Sequence, residues 1–224
     1  PERCEVRSMS DVILYDYWRS SASYRVRIAL SLMDMAYQTV AVDLLAGAHR
    51  SPDFRKRNPQ GLVPALEVDG LVLTQSLAII EYLDETRKNA GFLPKDAVGR
   101  QRVRALSHAI AMDIHPVCNL GVVGTVMKQA EAHGEDPAKV RLAWMGKYIG
   151  AGLEAFERLL DHPGTGSFCH GDRPSMADIC LIPQIYNARR WEVDLRHLPM
   201  VNQIAERCLA MDAFARAHPD LCPR

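Results

Sequence analysis

Leu62-Val63-Pro64-Ala65-Leu66-Glu67-Val68, then Asp69-Gly70, then Leu71-Val72-Leu73, then Thr74-Gln75-Ser76-Leu77-Ala78-Ile79-Ile80-Glu81-Tyr82-Leu83 is the stretch on which the fold turns. Two short apolar runs flank an Asp-Gly pair, which a tight hairpin turn with positive φ at both central residues demands. The Thr-Gln-Ser cluster then caps an apolar-periodic run, the signature of a helix start. The stretch therefore predicts strand, strand, helix. Upstream, Val12-Ile13-Leu14-Tyr15-Asp16-Tyr17 is rich in β-branched and aromatic residues and predicts a strand. Ser20 and Ser21 precede a helical run from Arg25 to Met33, and 37–44 predicts a second strand. Residues 51–57 read as a short basic helix or a loop, and Asn58-Pro59-Gln60-Gly61 as a turn. The order is βαβ, then ββα.

Downstream the period changes. Residues 89–97 are polar, contain Gly91 and Pro94, and predict a linker. From Val98 the pattern is helical almost throughout: one long helix over 100–133 kinked at Pro116, a second over 140–160, a third from Ser175, and shorter ones over 199–209 and 211–217. Ser175 and Asp178, three apart, predict a capping box with Asp in place of Glu. The expectation is an α/β domain over 11–88 and an all-helical domain over 98–224, with 1–10 as a tail and Met9 as a native start.

Composition narrows the classes. The formal net charge of the 224 residues is zero, which gives no electrostatic case for nucleic acid or an acidic membrane as partner. Purely apolar runs fall far short of the ~18 residues that span a bilayer. The six cysteines, at 4, 118, 169, 180, 208 and 222, have neither C-x-x-C nor zinc-finger spacing and read as reduced thiols of a cytoplasmic protein. No metal is expected.

Three places carry candidate chemistry. Ser20 and Ser21 stand at a helix N-terminus, where unpaired N–H groups and the positive dipole end stabilise an anion and lower a bound thiol's pKa; they equally serve as caps. Val63-Pro64 is either a cis peptide that offers the Val63 backbone to an extended ligand, or an edge-strand proline. Gln75 and Ser76 cap the next helix and could hold a carboxylate. Together they suit a γ-glutamyl tripeptide thiol. From residue 19 to 57 seven basic side chains face three acidic ones, a local excess that suits anionic ligands, with Arg27 expected as an interdomain ion pair.

The segment Ser20-Ser21-Ala22-Ser23-Tyr24-Arg25-Val26-Arg27-Ile28-Ala29-Leu30 resembles the signature of zeta-class glutathione transferases, and 75–83 is similar to that class residue for residue. Asp113-Ile114-His115-Pro116, the 172–178 segment, Leu181-Ile182-Pro183-Gln184 and Asn187-Ala188-Arg189-Arg190 continue the likeness, which runs from about residue 11 to the C-terminus. The resemblance implies a thioredoxin-like N-terminal domain plus an all-α C-terminal domain. It implies glutathione-dependent cis–trans isomerisation of maleylacetoacetate or maleylpyruvate, small dicarboxylates, by thiolate addition, bond rotation and elimination. By resemblance Ser20 and Ser21 lie at the thiolate, with Ser20 the more important. Gln60, Val63, Gln75 and Ser76 would hold glutathione, and Asp113 would reach the glutathione of a partner in a homodimer. Arg19, His115, Asn119 and Arg190 would line the substrate, with His115 changing charge near neutral pH. Two departures matter: Ala22 replaces a cysteine on which related reductive dehalogenases depend, and Leu120 replaces an arginine of some maleylpyruvate isomerases, which favours the longer maleylacetoacetate. The rival readings are a transferase acting on α-haloacids and a glutathione-binding protein without turnover.

Overall fold

The computed structural model describes residues 11–223, so the expected tail, its Met9 start and Cys4 lie outside the described residues. The first half forms β1 (Ile13–Asp16), α1 (Ser21–Leu32), β2 (Gln38–Ala41), α2 (Pro52–Arg57), β3 (Ala65–Val68), β4 (Leu71–Thr74) and α3 (Ser76–Thr86). The four strands make one sheet in the order β2-β1-β3-β4. β1 runs parallel to β2, with Leu14 opposite Thr39, and antiparallel to β3, with Leu14 opposite Leu66. Asp69 and Gly70 both have positive φ (53° and 74°), as a primed hairpin turn requires. Asp69 also accepts from Tyr82 and pairs with Arg87 at 2.6 Å, which ties the turn to α3. β2 is shorter than 37–44 because it is an edge strand whose far end is solvated; Val40 is exposed. The ambiguous 51–57 segment is a helix: Ser51 accepts from the Phe54 N–H, Pro52 fills the first position, and Arg55, Lys56 and Arg57 meet the negative dipole end.

Leu14, Val26, Leu30, Leu66, Val68, Ile79 and Leu83 bury between the sheet and α1/α3. A smaller cluster of Tyr15, Val42, Phe54 and Ala65 closes the other face under α2. The residues of α1 that face away from the sheet, Tyr24, Ile28 and Ala29, join the core of the helical half. The core of the helical half thus extends into the first half through α1 and, at Ile80, α3.

The helical half holds α4 (Ala97–His108), α5 (Leu120–Ala132), α6 (Pro137–Leu160), α7 (Met176–Arg190), α8 (Pro199–Leu209) and α9 (Asp212–Arg216). The expected single helix over 100–133 is two helices. After α4 the turns widen over Ala109–Ile114, with the His115 N–H reaching back to Ile110 at 2.9 Å, and a 3-10 turn follows over Pro116–Cys118. Proline lacks the N–H that would continue the ladder, and Asn119 caps α5 by accepting from the Val122 N–H, so the chain restarts rather than bends. Gly152 on α6 lets the Ile114 side chain rest against that helix; a Cβ there would collide with it. Within 97–132 an 18-residue window (mean hydropathy 1.4) is apolar enough to cross a membrane by length and composition, but it must straddle this break, because α4 carries Arg100, Arg102 and Arg104.

α7 is buried over most of its length and organises the half. The expected capping box is present: Asp178 accepts from the Ser175 N–H and hydroxyl, both at 2.8 Å, and from the Cys169 N–H at 2.9 Å. Burial pushes the Asp178 carboxyl upward, so those three donors are what make its presence tolerable. Asp178→Ala orphans two buried backbone donors and should cost about 3 kcal/mol. Thermal unfolding should show a Tm lower by roughly 6–12 °C; a change within the scatter of repeat scans would contradict the assigned role.

Candidate functional site

The site begins at the C-terminal end of β1. Asp16 is buried, and Arg27 from α1 meets both its oxygens at 2.7 Å. The same guanidinium donates to the Trp18 carbonyl at 3.0 Å and to the Ala217 carbonyl at 3.1 Å. Arg27 is therefore an ion pair within the first half; its link to the helical half is a hydrogen bond, which corrects the interdomain ion pair expected from sequence. Its consequence is local: the 17–20 loop is pinned from below, just before the residues that carry chemistry.

Ser20 is the N-cap of α1 and its Oγ accepts from the Ser23 N–H at 3.2 Å. Capping uses a lone pair and leaves the O–H free to donate outward. Ser21 is the first helical residue and is partly exposed beside it. Ala22 follows, so no thiol is present at that end of the helix.

The N-terminus of α3 lies one arginine away. Arg25, in the second turn of α1, is 2% exposed and its Nη1 donates to the Ser76 Oγ at 3.2 Å. Its Nε and Nη2 are buried without a protein acceptor among the described residues. Gln75 caps α3 with φ +68° and ψ 108°, a conformation side chains rarely hold, and backbone strain of this kind clusters where a ligand is gripped. Its Nε2 donates to Gln60 Oε1 at 2.9 Å, so these two exposed amides form one unit. The Val63–Pro64 bond is cis.

His115 lies at the end of the widened turn. Burial, and then the Arg25 charge, push its pKa down from 6.5 to about 3. This overturns the expected charge change near neutrality: at pH 7 the imidazole is neutral. The linkage has a definite sign. Below 6.5 the unfolded chain takes up a proton that the folded chain refuses until about pH 3, so the stability that neutral His115 contributes is full above 6.5 and is lost as pH falls toward 3. His115→Gln should flatten that acid limb in chemical denaturation. It should leave the shape of the activity profile between about pH 6 and 8 unchanged. A titration near 6.5 that vanishes in the variant would contradict the assignment.

Two arginines converge on Trp191, just past the C-terminal end of α7, and a third lies within reach of their charge. The guanidinium carbons of Arg141 and Arg190 lie 4.5 and 5.0 Å from its ring centroid, and Arg19 lies 4.2 Å from the neighbouring Trp18 ring. Burial and then the Arg19 charge lower the proton affinity of Arg141. Burial, then Arg19 and Arg141, do the same to Arg190. No carboxylate pairs with any of the three among the described residues. Like charges gathered without a counter-ion are what an anion site needs.

The structure thus joins Arg19 with Arg190, Gln60 with Gln75, and Ser76 with Arg25 and His115. Asn119 spends its oxygen on capping α5. Asp113 is exposed on the widened turn, beside the exposed Met112. Sequence reasoning missed Arg141, whose only sequence signal was a basic residue near the start of the helix expected over 140–160, and Arg25 as a buried cation. Among the described residues no group of His, Cys, Asp and Glu could hold a metal.

The family description "Glutathione S-transferase, N-terminal domain" matches residues 10–85, and "Glutathione S-transferase, C-terminal domain" matches residues 140–217. The chain is 65% identical over 211 residues to the maleylacetoacetate isomerase of Rhizobium meliloti strain 1021, covering 94% of this chain and 97% of that protein. It is 44% identical to the maleylpyruvate isomerase of a Ralstonia species, covering 94% and 98%. A solved maleylacetoacetate isomerase from Methylobacterium extorquens AM1, with bound malonate and glutathione, superposes with a TM-score of 0.88 at 42% identity, covering 94% of this chain and 98% of that one.

Proposed function

The chain belongs to the glutathione S-transferase family, in its zeta class, and from that premise we propose that it is a glutathione-dependent cis–trans isomerase of maleylacetoacetate, with maleylpyruvate as the shorter alternative substrate. One observation carries the reading: a hydroxyl-capped helix N-terminus and an unpaired arginine cluster meet at consecutive residues, Ser20 and Arg19.

The residues fit glutathione. The N-termini of α1 and α3 are bridged by Arg25, which leaves buried N–H groups without an acceptor. A tripeptide with a thiol on its central residue and an α-carboxylate at its γ-glutamyl end matches that pair of termini: Ser20 and Ser21 at the thiol, Gln75 and Ser76 at the carboxylate, Gln60 beside Gln75, and the Val63 backbone along the central residue. When bound, glutathione supplies a thiolate that adds to the conjugated cis double bond, permits rotation about the resulting single bond, and leaves unchanged.

The protein's part is electrostatic and positional. Ser20 would donate its O–H to the sulfur of a bound thiol while the α1 N–H groups and dipole favour the anion, which would lower that thiol's pKa. Arg19 and Arg190 clamp the substrate carboxylates, and a guanidinium does so in a fork that fixes orientation as well as charge. As the alkene is attacked, negative charge moves onto the conjugated carbonyl oxygen, and preorganised donors there lower the barrier. Neutral His115 suits that role as a hydrogen-bond donor, because it brings no positive charge that would bind the starting dianion equally well. No proton has to leave the substrate, so a residue that stays neutral across the working range is not a handicap.

The homodimer belongs to the same reading. Asp113 and Met112 are exposed on the widened turn and Leu120 is exposed at the start of α5, a face suited to a second copy whose glutathione Asp113 would approach. All five described cysteines are free, which fits a reducing cytoplasm. The reading is tested by following maleylacetoacetate and maleylpyruvate with and without glutathione and identifying the products by NMR. The expected result is trans product from maleylacetoacetate only with glutathione, and a lower kcat/KM for maleylpyruvate. Glutathione-dependent halide release from an α-haloacid, with neither dicarboxylate converted, would replace the isomerase by the haloacid transferase.

A further inference from the structure

We propose that Arg141 is a third carboxylate-binding arginine of the substrate site, the group that makes it a receptor for dianions rather than monoanions. This rests on the isomerase reading, but its geometry stands alone. Arg141 projects from the second turn of α6 onto the face of Trp191, 4.5 Å from the ring centroid, where Arg190 from α7 also lies at 5.0 Å. The ring is itself fixed, since Trp191 Nε1 donates to Asn187 Oδ1 at 3.1 Å. The Arg141 guanidinium therefore has a held plane.

Its hydrogen bonding points outward. The Nε atoms of Arg141 and Arg19 are buried and meet no protein acceptor among the described residues. Besides burial, the Arg19 charge lowers the proton affinity of Arg141, and the Arg19 and Arg141 charges lower that of Arg190, so the β1–α1 loop, α6 and α7 bring three cations within electrostatic reach of one another. Stacking on an indole accounts for one arginine's position. It does not account for three cations drawn together with no acid between them, an arrangement that opposes folding until an anion enters. One carboxylate accepts at most two forked guanidinium partners comfortably, so three arginines suit two carboxylates. The exposed residues at the start of α5, Leu120, Gly121 and Val122, offer no charge, so Arg141 is the cation that α6 contributes in addition to the Arg19–Arg190 pair.

The test uses malonate as a dianionic probe and acetate as a monoanionic one, with Trp fluorescence and calorimetry as readouts on the full-length protein. Arg141→Gln should weaken malonate binding by about 10- to 100-fold. It should alter acetate binding by no more than about 3-fold and leave glutathione affinity unchanged. In turnover the same variant should raise KM for the dicarboxylate by a similar factor while kcat changes far less, and Arg141→Lys should recover part of the loss because it restores charge without the fork. Unchanged malonate affinity with a lowered Tm would overturn the proposal and leave Arg141 a packing residue on Trp191. Equal weakening of malonate and acetate would overturn it too, reducing Arg141 to a contributor of general field. If the unsubstituted protein converts neither dicarboxylate, the isomerase reading falls, while the malonate comparison still decides the role of Arg141.

Discussion

Ser20→Ala should lower kcat/KM for glutathione-dependent isomerisation by about 100- to 1000-fold, the usual cost of removing one preorganised donor from a developing or held anion. The substitution takes away two things at once. The N-cap of α1 loses the acceptor for the Ser23 N–H, worth about 1 kcal/mol of stability. The thiol site loses the O–H that the capping geometry leaves free. The two are separable: the cap loss appears as a small drop in Tm, whereas the donor loss appears as an upward shift in the pKa of bound glutathione, read from thiolate absorbance against pH. Ser20→Asn keeps a capping oxygen and should restore the Tm without restoring the thiolate. Ser21→Ala, one position into the helix, should cost about tenfold at most. Loss of activity in Ser21→Ala with Ser20→Ala near normal would reverse the order of the two serines.

Asp16→Ala should be the most destabilising of the substitutions considered. It leaves the Arg27 charge in a site where both partners are nearly inaccessible, at 1% and 2% exposure. Breaking a buried pair by removing one partner costs about 3–5 kcal/mol, because the survivor keeps its desolvation penalty. For a chain of this size that is a fall of roughly 6–20 °C in Tm. The double variant Asp16→Leu with Arg27→Met removes both charges and should recover most of that loss, since an apolar replacement of a buried pair is often close to neutral. It should not recover activity. Arg27 also holds the Trp18 carbonyl, and with it the approach of Arg19 and Ser20 to the site. A double variant that is both stable and fully active would show that the pair serves folding alone.

The parts of this molecule that sequence reveals are those whose cause is local. The Asp-Gly turn, the serine at the head of α1 and the Ser175–Asp178 box each need only residues within a turn of one another, and each is present in the structure. The break around Pro116 was half legible. A proline must interrupt the ladder, but whether the chain bends or restarts depends on the cap at Asn119 and on Ile114 settling against Gly152, a contact made by another helix. Four charge assignments failed or were missed for the same reason. Arg27 reads as an interdomain ion pair until Asp16 is brought beneath it. Arg25 reads as solvated until α7 covers it and Ser76 becomes its neighbour. His115 reads as a physiological titrator until Arg25, far back in the chain, adds its charge to the effect of burial. Arg141 is the clearest case: on α6 it is one basic residue among several, and only Trp191 and the two other arginines give it a role.

The central claim is that glutathione here is a returning catalyst. The direct measurement mixes the protein with maleylacetoacetate in large excess over glutathione and follows both by NMR until the reaction stops. The account predicts that all of the substrate becomes the trans isomer and that the glutathione is recovered free, after many turnovers per molecule. Conversion that halts after one equivalent, with glutathione left as a covalent adduct, would contradict it and make the protein a transferase that consumes its thiol.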